Sequence, residues 1–246
     1  VSNTNTILKT DSETVRDFYN ASYEKLGFSA QRKYPNEELC RFMGRNFFHM
    51  PHEKRKDIKI LETGCGSGAN LWMIAREGFS AYRIDISQES ILLCKKMLES
   101  YHVSAELQVQ DMAEIYFPGE SFDAVVDVFS SYCLTKAQVS GYLKSVAKIL
   151  KPGGIFFSYF PSKKSDCYQF PEKACFIDSD TLNSILRKDA PFHGQLYPFR
   201  FLHPREYENM LLEFGFEVQY LETVSRTYSH RQEIFEFITI EAKLHR

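Results

Sequence analysis

A chain of 246 residues is long enough for one sizeable hydrophobic core and admits one or two domains. Its composition, 43% hydrophobic and 25% charged without a low-complexity tract, excludes a disordered or collagen-like chain and is that of a soluble globular protein. A formal net charge of −2 gives no global pull toward nucleic acid or anionic membrane, and no apolar run approaches the ~18 residues that a membrane span requires.

The polar segment Val1 to Thr10 has no signal-peptide core. The six cysteines form no C-x-x-C pair and no Cys/His ligand spacing, so free thiols in a reducing cytoplasm and no bound metal are expected. Val15, Phe18, Tyr19, Tyr23 and Leu26 mark one face of a helix over 11–26, stopped by Gly27. Arg32 to Pro35 read as a connector, after which Asn36 caps a second helix burying Leu39, Phe42, Met43 and Phe47. The run His52-Glu53-Lys54-Arg55-Lys56-Asp57 is basic but short and broken by acids, as in a solvated linker.

From Ile58 the pattern changes. Ile58 to Leu61 is a short strand, followed by Gly64-Cys65-Gly66-Ser67-Gly68 and a helix over 69–77 closed by Gly78. Ala81 to Ile86 is a second strand, and Ser87 caps a helix carrying Ile91, Cys94, Leu98 and Tyr101 on one face. Ala105, Leu107 and Val109 alternate as a third strand; Phe122 to Val128 is a fourth, more continuously apolar. A helix over 136–150 ends in Lys151-Pro152-Gly153-Gly154, a turn leading into the strand Ile155 to Phe160. Alternating strands and helices imply a parallel sheet with right-handed crossovers. Residues 161–200 show poor periodicity. A helix over 204–214 then ends at Gly215, and the strands Phe216 to Val224 and Glu233 to Lys243, joined by a loop, should be antiparallel.

The strand, glycine-rich turn and helix make a place to hold a ligand, because glycine permits close backbone approach and the helix start supplies unpaired N–H donors. Asp85, ending the next strand, fits a ribose-binding acid. These features alone leave two readings open, since Gly64, Gly66 and Ala69 also satisfy a loose dinucleotide fingerprint.

The flanking residues separate them. Leu61-Glu62-Thr63-Gly64-Cys65-Gly66-Ser67-Gly68 resembles motif I of class I S-adenosylmethionine-dependent methyltransferases. The resemblance continues in family order through Ile84-Asp85-Ile86-Ser87, Gln110-Asp111-Met112, Phe122-Asp123-Ala124-Val125-Val126-Asp127 and Leu150-Lys151-Pro152-Gly153-Gly154. It implies a Rossmann-like, doubly wound seven-stranded α/β sheet, mostly parallel with an antiparallel C-terminal strand, plus N-terminal cap helices. A single methyltransferase domain over 1–246 is expected: a helical cap (1–56), a cofactor-binding core (57–160), a substrate-capping insertion (161–200) and a C-terminal helix with antiparallel strands (201–246).

By the same resemblance, Glu62 faces the amino group of the methionine moiety of S-adenosylmethionine, and the backbone of Gly64, Cys65, Gly66 and Gly68 wraps that moiety. Asp85 binds the ribose, Ile86 packs on adenine, and Asp111 accepts from the adenine amino group beside the N–H groups of Met112 and Ala113. Asp127 lies near the donor and the incoming nucleophile, and Tyr23 closes over the cofactor. The family usually has glycine two residues before the ribose-binding acid, where this chain has Arg83. Arg83 shares a strand face with Asp85, so it should crowd the glycine loop or pair with Asp85 or Glu62.

Methyl transfer from a sulfonium is a positioning task, and no catalytic residue is named by the sequence. Tyr132, Tyr197, Arg200 and His203 are the candidate substrate contacts, with Phe170, Phe176, Phe192 and Phe199 as possible walls. Arg200 and Lys163 point to an anionic small molecule. Nucleic-acid amino-methylation is disfavoured, because Asp127-Val128-Phe129-Ser130 stands where that class has an Asn/Asp-Pro-Pro-aromatic run. The expected activity is methyl transfer to an oxygen or nitrogen of a small molecule. The alternatives are a cofactor-binding protein weakened by Arg83 and a nicotinamide oxidoreductase.

Overall fold

The computed structural model describes residues 11–64 and 66–245. The expectations for Val1 to Thr10 and for Cys65 lie outside them. Two helices precede the sheet, α1 (Asp11–Leu26) and α2 (Glu37–Asn46), followed by the single turn α3 (His52–Arg55). The Asn36 side chain accepts from the N–H groups of Glu38 and Leu39 at 2.8 and 3.1 Å, which is why α2 begins there.

The main sheet contains β1 (Lys59–Thr63), β2 (Ser80–Asp85), β3 (Glu106–Val109), β4 (Phe122–Val128), β5 (Leu150–Pro161), β9 (Phe216–Tyr228) and β10 (Glu233–Leu244), in the order β3-β2-β1-β4-β5-β10-β9. β1 to β5 are parallel, and β10 runs antiparallel to both β5 and β9. The crossovers are α4 (Leu71–Arg76), α5 (Gln88–Ser100) and α6 (Lys136–Ile149). Phe156 and Phe157, adjacent on β5, point to opposite faces. Phe157 stacks on Phe42 of α2 at 4.8 Å and Phe156 meets Tyr142 of α6 at 6.2 Å, so both sheet faces are covered by helices. A sheet buried on both sides accounts for the unbroken apolar run Ala124-Val125-Val126 in β4.

Two expectations change. Lys151 to Gly154 are not a turn before β5 but its first residues: Phe122 pairs with Leu150 and Ala124 with Ile155, so the intervening residues bulge opposite Asp123, with Gly153 at φ +75°. Residues 161–200 contain α7 (Asp166–Gln169) and β6 (Phe176–Asp178), β7 (Thr181–Leu182) and β8 (Phe199–Arg200), the strands forming a second small sheet. Helix α8 (Pro204–Glu213) follows it and packs on β9. Among the described residues no helix is long and apolar enough to cross a membrane.

Candidate functional site

The carboxyl ends of β1 and β4 flank the point where strand order reverses, the usual ligand position in open α/β sheets. A cavity of about 520 Å³ lies there. Glu62 and Gly64 come to it from β1 and its exit, Asp85 and Ile86 from the end of β2, and Val128, Phe129 and Ser130 from the end of β4. Val15, Tyr19 and Tyr23 of α1 and the connector residues Gln31 and Arg32 form the opposite wall.

One end is polar. Glu62 is 1% exposed and its Oε1 accepts from Asn70 Nδ2 at 2.6 Å, while Oε2 has no hydrogen-bond partner among the described residues. Burial pushes its carboxyl from 4.5 up to about 7, against the opposing effects of the Asn70 bond and the Arg83 charge. Asn70 Oδ1 in turn accepts from Arg32 Nη2 at 3.3 Å, so one amide ties together an acid and a base on the cavity wall. That spacing suits the ammonium and carboxylate of an α-amino acid, and an arriving cation would satisfy the carboxylate oxygen left over.

Asp85 sits beside this end with its oxygens held by backbone: Gly66 N–H donates to Oδ2 at 3.2 Å and Ser87 N–H to Oδ1 at 2.9 Å. Gly66 has φ +55°, and a Cβ there would stand 2.9 Å from the Tyr23 hydroxyl. The position therefore needs glycine both for its conformation and for the closeness of α1. Arg83 is fully buried beneath this loop, bonded to Gly66 O and Ser90 Oγ and 3.4 Å from Asp85 Oδ2. It buttresses the glycine turn and is absent from the cavity wall.

The other end is aromatic, walled by Phe129, Tyr159, Phe192 and Phe237. Phe129 holds φ +58°, an uncommon conformation for a bulky residue. Asp127 fixes it there. Its carboxylate accepts from the N–H groups of Ser130 and Ser131 at 3.1 and 3.0 Å, from both their hydroxyls, and from Ser158 Oγ at 2.9 Å. These donors hold a charge that burial disfavours; burial nonetheless prevails and raises the Asp127 carboxyl above its ordinary range.

The structure thus brings Tyr23, Glu62, Gly64, Gly66, Asp85, Ile86 and Met112 onto one cavity. Among the described residues, Gly68, Asp111, Ala113 and Asp127 do not line it. Gly68 faces α5, where a Cβ would lie 2.5 Å from Cys94 Sγ. Asp111 Oδ1 accepts from Ala113 N–H at 2.9 Å, so the amide expected beside adenine closes a local turn instead. Asp127 is fully buried and spent on the turn after β4.

All four expected substrate contacts also lie off the wall. Tyr132 and Tyr197 sit one layer behind it, their hydroxyls 2.7 Å apart and bonded to Tyr19 at 2.9 and 2.8 Å. Burial raises all three phenols, Tyr19 to about 12, so they are neutral. Arg200 is buried 3.6 Å from Asp180, which also binds Lys163 at 2.8 Å. Both cations face acids away from the cavity, Lys163 meeting Asp180 and Glu206 of α8 and Arg200 meeting Asp180. His203 is exposed before α8, its N–H donating to Glu206 Oε2 at 2.9 Å. Of the expected aromatic walls, Phe192 alone lies on the cavity among the described residues.

Residues that the sequence reading missed include Arg32, Asn70, Phe129, Tyr159, Arg226, Tyr228 and Phe237. Arg226 and Tyr228 arrive because β9 and β10 overshoot, and Phe237 stands at the edge they overshoot from. Phe237 pairs with Pro161, the last residue of β5, so Glu233 to Glu236 and their partners Ser225 to Tyr228 extend beyond the sheet's carboxyl edge.

The family described as a methyltransferase domain matches residues 60–154. The chain is 32% identical over 185 residues to YqeM of Bacillus subtilis (strain 168), named a methyltransferase, covering 65% of this chain and 74% of that protein. It is 25% identical over 126 residues to a ubiquinone biosynthesis O-methyltransferase of Agrobacterium fabrum, covering 51% of this chain and about half, 49%, of that enzyme's length. Its fold is similar to that of 1,6-didemethyltoxoflavin-N1-methyltransferase of Burkholderia thailandensis, solved with 1,6-didemethyltoxoflavin and S-adenosylhomocysteine. That likeness has a TM-score of 0.67 at 12% identity, over 98% of this chain and 93% of that one.

Proposed function

This chain belongs to the class I S-adenosylmethionine-dependent methyltransferases, and from that premise we propose that it methylates an oxygen or nitrogen of a small molecule seated at the aromatic end of the cavity. Bound S-adenosylmethionine supplies an electrophilic methyl on a sulfonium. The chain's own residues supply binding, orientation and dryness.

Glu62 would hold the cofactor's ammonium and Arg32 its carboxylate, the two being tied through Asn70. Asp85, kept in place by Gly66 and Ser87 N–H groups, would take the ribose hydroxyls. Ile86 and Met112 offer apolar contact to the base, and Tyr23 closes the glycine turn from α1. The observation carrying this reading is the Oε2 of buried Glu62, unpartnered among the described residues, on the wall of a cavity at the switch point. Neither the weakened-binder nor the oxidoreductase alternative is favoured: Arg83 supports the loop from beneath instead of filling the cavity.

A small acceptor is supported by the cavity's dimensions and by the net charge of −2. The relatives named for ubiquinone biosynthesis and 1,6-didemethyltoxoflavin point the same way. Among the described residues the wall carries no histidine or lysine, and its other carboxylates lie at the polar end or the rim. The chain's contribution is placement of the acceptor. Incubation with methyl-labelled cofactor and a fractionated cell extract should place label in a low-molecular-weight product. Label recovered only in protein or nucleic acid would contradict the proposal.

A further inference from the structure

The aromatic end of the cavity carries information about the acceptor, given the methyl-transfer reading above, on which this inference rests. Phe129 is locked at φ +58° by the Asp127 turn, and such a conformation persists only where the surroundings impose it. The imposed backbone puts the Phe129 ring among other ring faces. It stacks on Phe192 at 4.7 Å and 27°, and meets Phe237 at 5.4 Å; Phe237 itself stacks on Tyr159 at 4.5 Å and 14°. Walls made of aromatic rings favour a flat partner, because offset stacking and edge contacts add to the area buried.

The rim adds a charge. Arg226, on the overshooting part of β9, lines the cavity beside Tyr228. Its guanidinium lies 3.7 Å from Glu37 of α2, with side chains 48% and 59% exposed, a pair of small worth in water. Glu37 also accepts from Arg41 at 2.9 Å, so it keeps a cationic partner when Arg226 turns away. Arg226 is thus exchangeable, and a planar guanidinium is suited to a ligand carboxylate held by two parallel bonds. A single guanidinium next to an acid matches a singly charged ligand better than a dianionic phosphate.

We propose that the acceptor is a planar aromatic compound bearing a carboxylate, its ring lying against Phe129, Phe192 and Phe237 and its charge met by Arg226 at the rim. The anion site is therefore on the β9–β10 hairpin, not on the Lys163 and Arg200 cluster of the insertion.

The test uses the full chain saturated with S-adenosylhomocysteine and three probes: 2-naphthoate, its neutral isostere 2-naphthamide, and decanoate, which has the charge without the ring. Calorimetry should find 2-naphthoate tighter than either of the others by about tenfold, the size of one charge-assisted contact. Arg226→Gln should erase the preference over the amide, Arg226→Lys should keep part of it, and Phe129→Leu should weaken both naphthyl probes. Equal binding of acid and amide, tighter binding of decanoate, an unchanged preference in Arg226→Gln, or no uptake of 2-naphthoate would each overturn the proposal. If wild-type protein fails to take up S-adenosylhomocysteine, the methyltransferase reading of the cavity falls first; uptake of that ligand with failure of the naphthoate arm removes this inference alone.

Discussion

Glu62→Gln removes a negative charge from a side chain that is 1% exposed and leaves its shape unchanged. Burial lifts the carboxyl from 4.5 to about 7, so the folded protein binds this proton more tightly than the unfolded chain does. Between those values the folded state carries more protons, and stability must fall as pH rises through that window. At 1.36 kcal/mol per pH unit, the ionised carboxylate costs about 3 kcal/mol above pH 7. The amide keeps the Asn70 bond through Oε1 and puts Nε2 where the unpartnered oxygen stood. A buried amide costs less than a buried charge but is not free, so the net gain at pH 8 should be about 1 kcal/mol; it crosses zero near pH 6 and becomes a loss of about 2 kcal/mol near pH 4.5, where wild type has regained the ~3 kcal/mol. Denaturant unfolding at both pH values measures it. The same variant should bind S-adenosylhomocysteine roughly thirtyfold or more weakly, the cost of removing one member of a buried charge pair. Wild-type affinity should rise with pH through about 7 as Glu62 ionises, and the variant's should stay flat. A variant less stable at pH 8, or one with unaltered affinity, refutes the reasoning.

Gly66→Ala forces a Cβ to 2.9 Å from the Tyr23 hydroxyl at φ +55°; we expect a stability loss of about 1–2 kcal/mol and cofactor affinity down at least tenfold by titration. Arg83→Met deletes the buried donor to Gly66 O and Ser90 Oγ and the charge beside Asp85, and should cost about 3 kcal/mol in denaturant unfolding while weakening cofactor uptake. Increased uptake would mean that Arg83 obstructs the site. Lys163→Met leaves Asp180 with Arg200 as its one cation and removes the cation beside Glu206, and should destabilise by about 1–2 kcal/mol with unchanged affinity for S-adenosylhomocysteine, because that cluster lies off the cavity; a large affinity change would place it in the site after all.

The order of strands and helices is legible in the sequence because it is written in local periodicity: alternation in β2, the 3.6-residue spacing of α1 and α2, the caps at Asn36 and Ser87. Glu62, Gly66 and Asp85 are legible for a related reason, since β1, β2 and the turn between them fix their positions within about 25 residues. What the sequence hid is non-local. Whether Arg200 and Lys163 are free cations depends on Asp180 arriving from the turn between β6 and β7, and no periodicity marks that encounter. Arg226 and Phe237 reach the cavity through the register of β10 on β5, which sets how far the hairpin overshoots. Asp127 reads equally well as a ligand contact or a turn organiser until its donors are located; the adjacent Ser130-Ser131 was the available signal for the second.

The most direct trial of the account is a crystal structure of the protein grown with S-adenosylhomocysteine. Density should run from an amino group on Glu62, past ribose hydroxyls on Asp85, to a base against Ile86 and Met112, leaving the space beside Phe129 and Phe237 open for an acceptor. A ligand bound elsewhere, or side chains filling the crevice between the ends of β1 and β4 at saturating concentration, would contradict it.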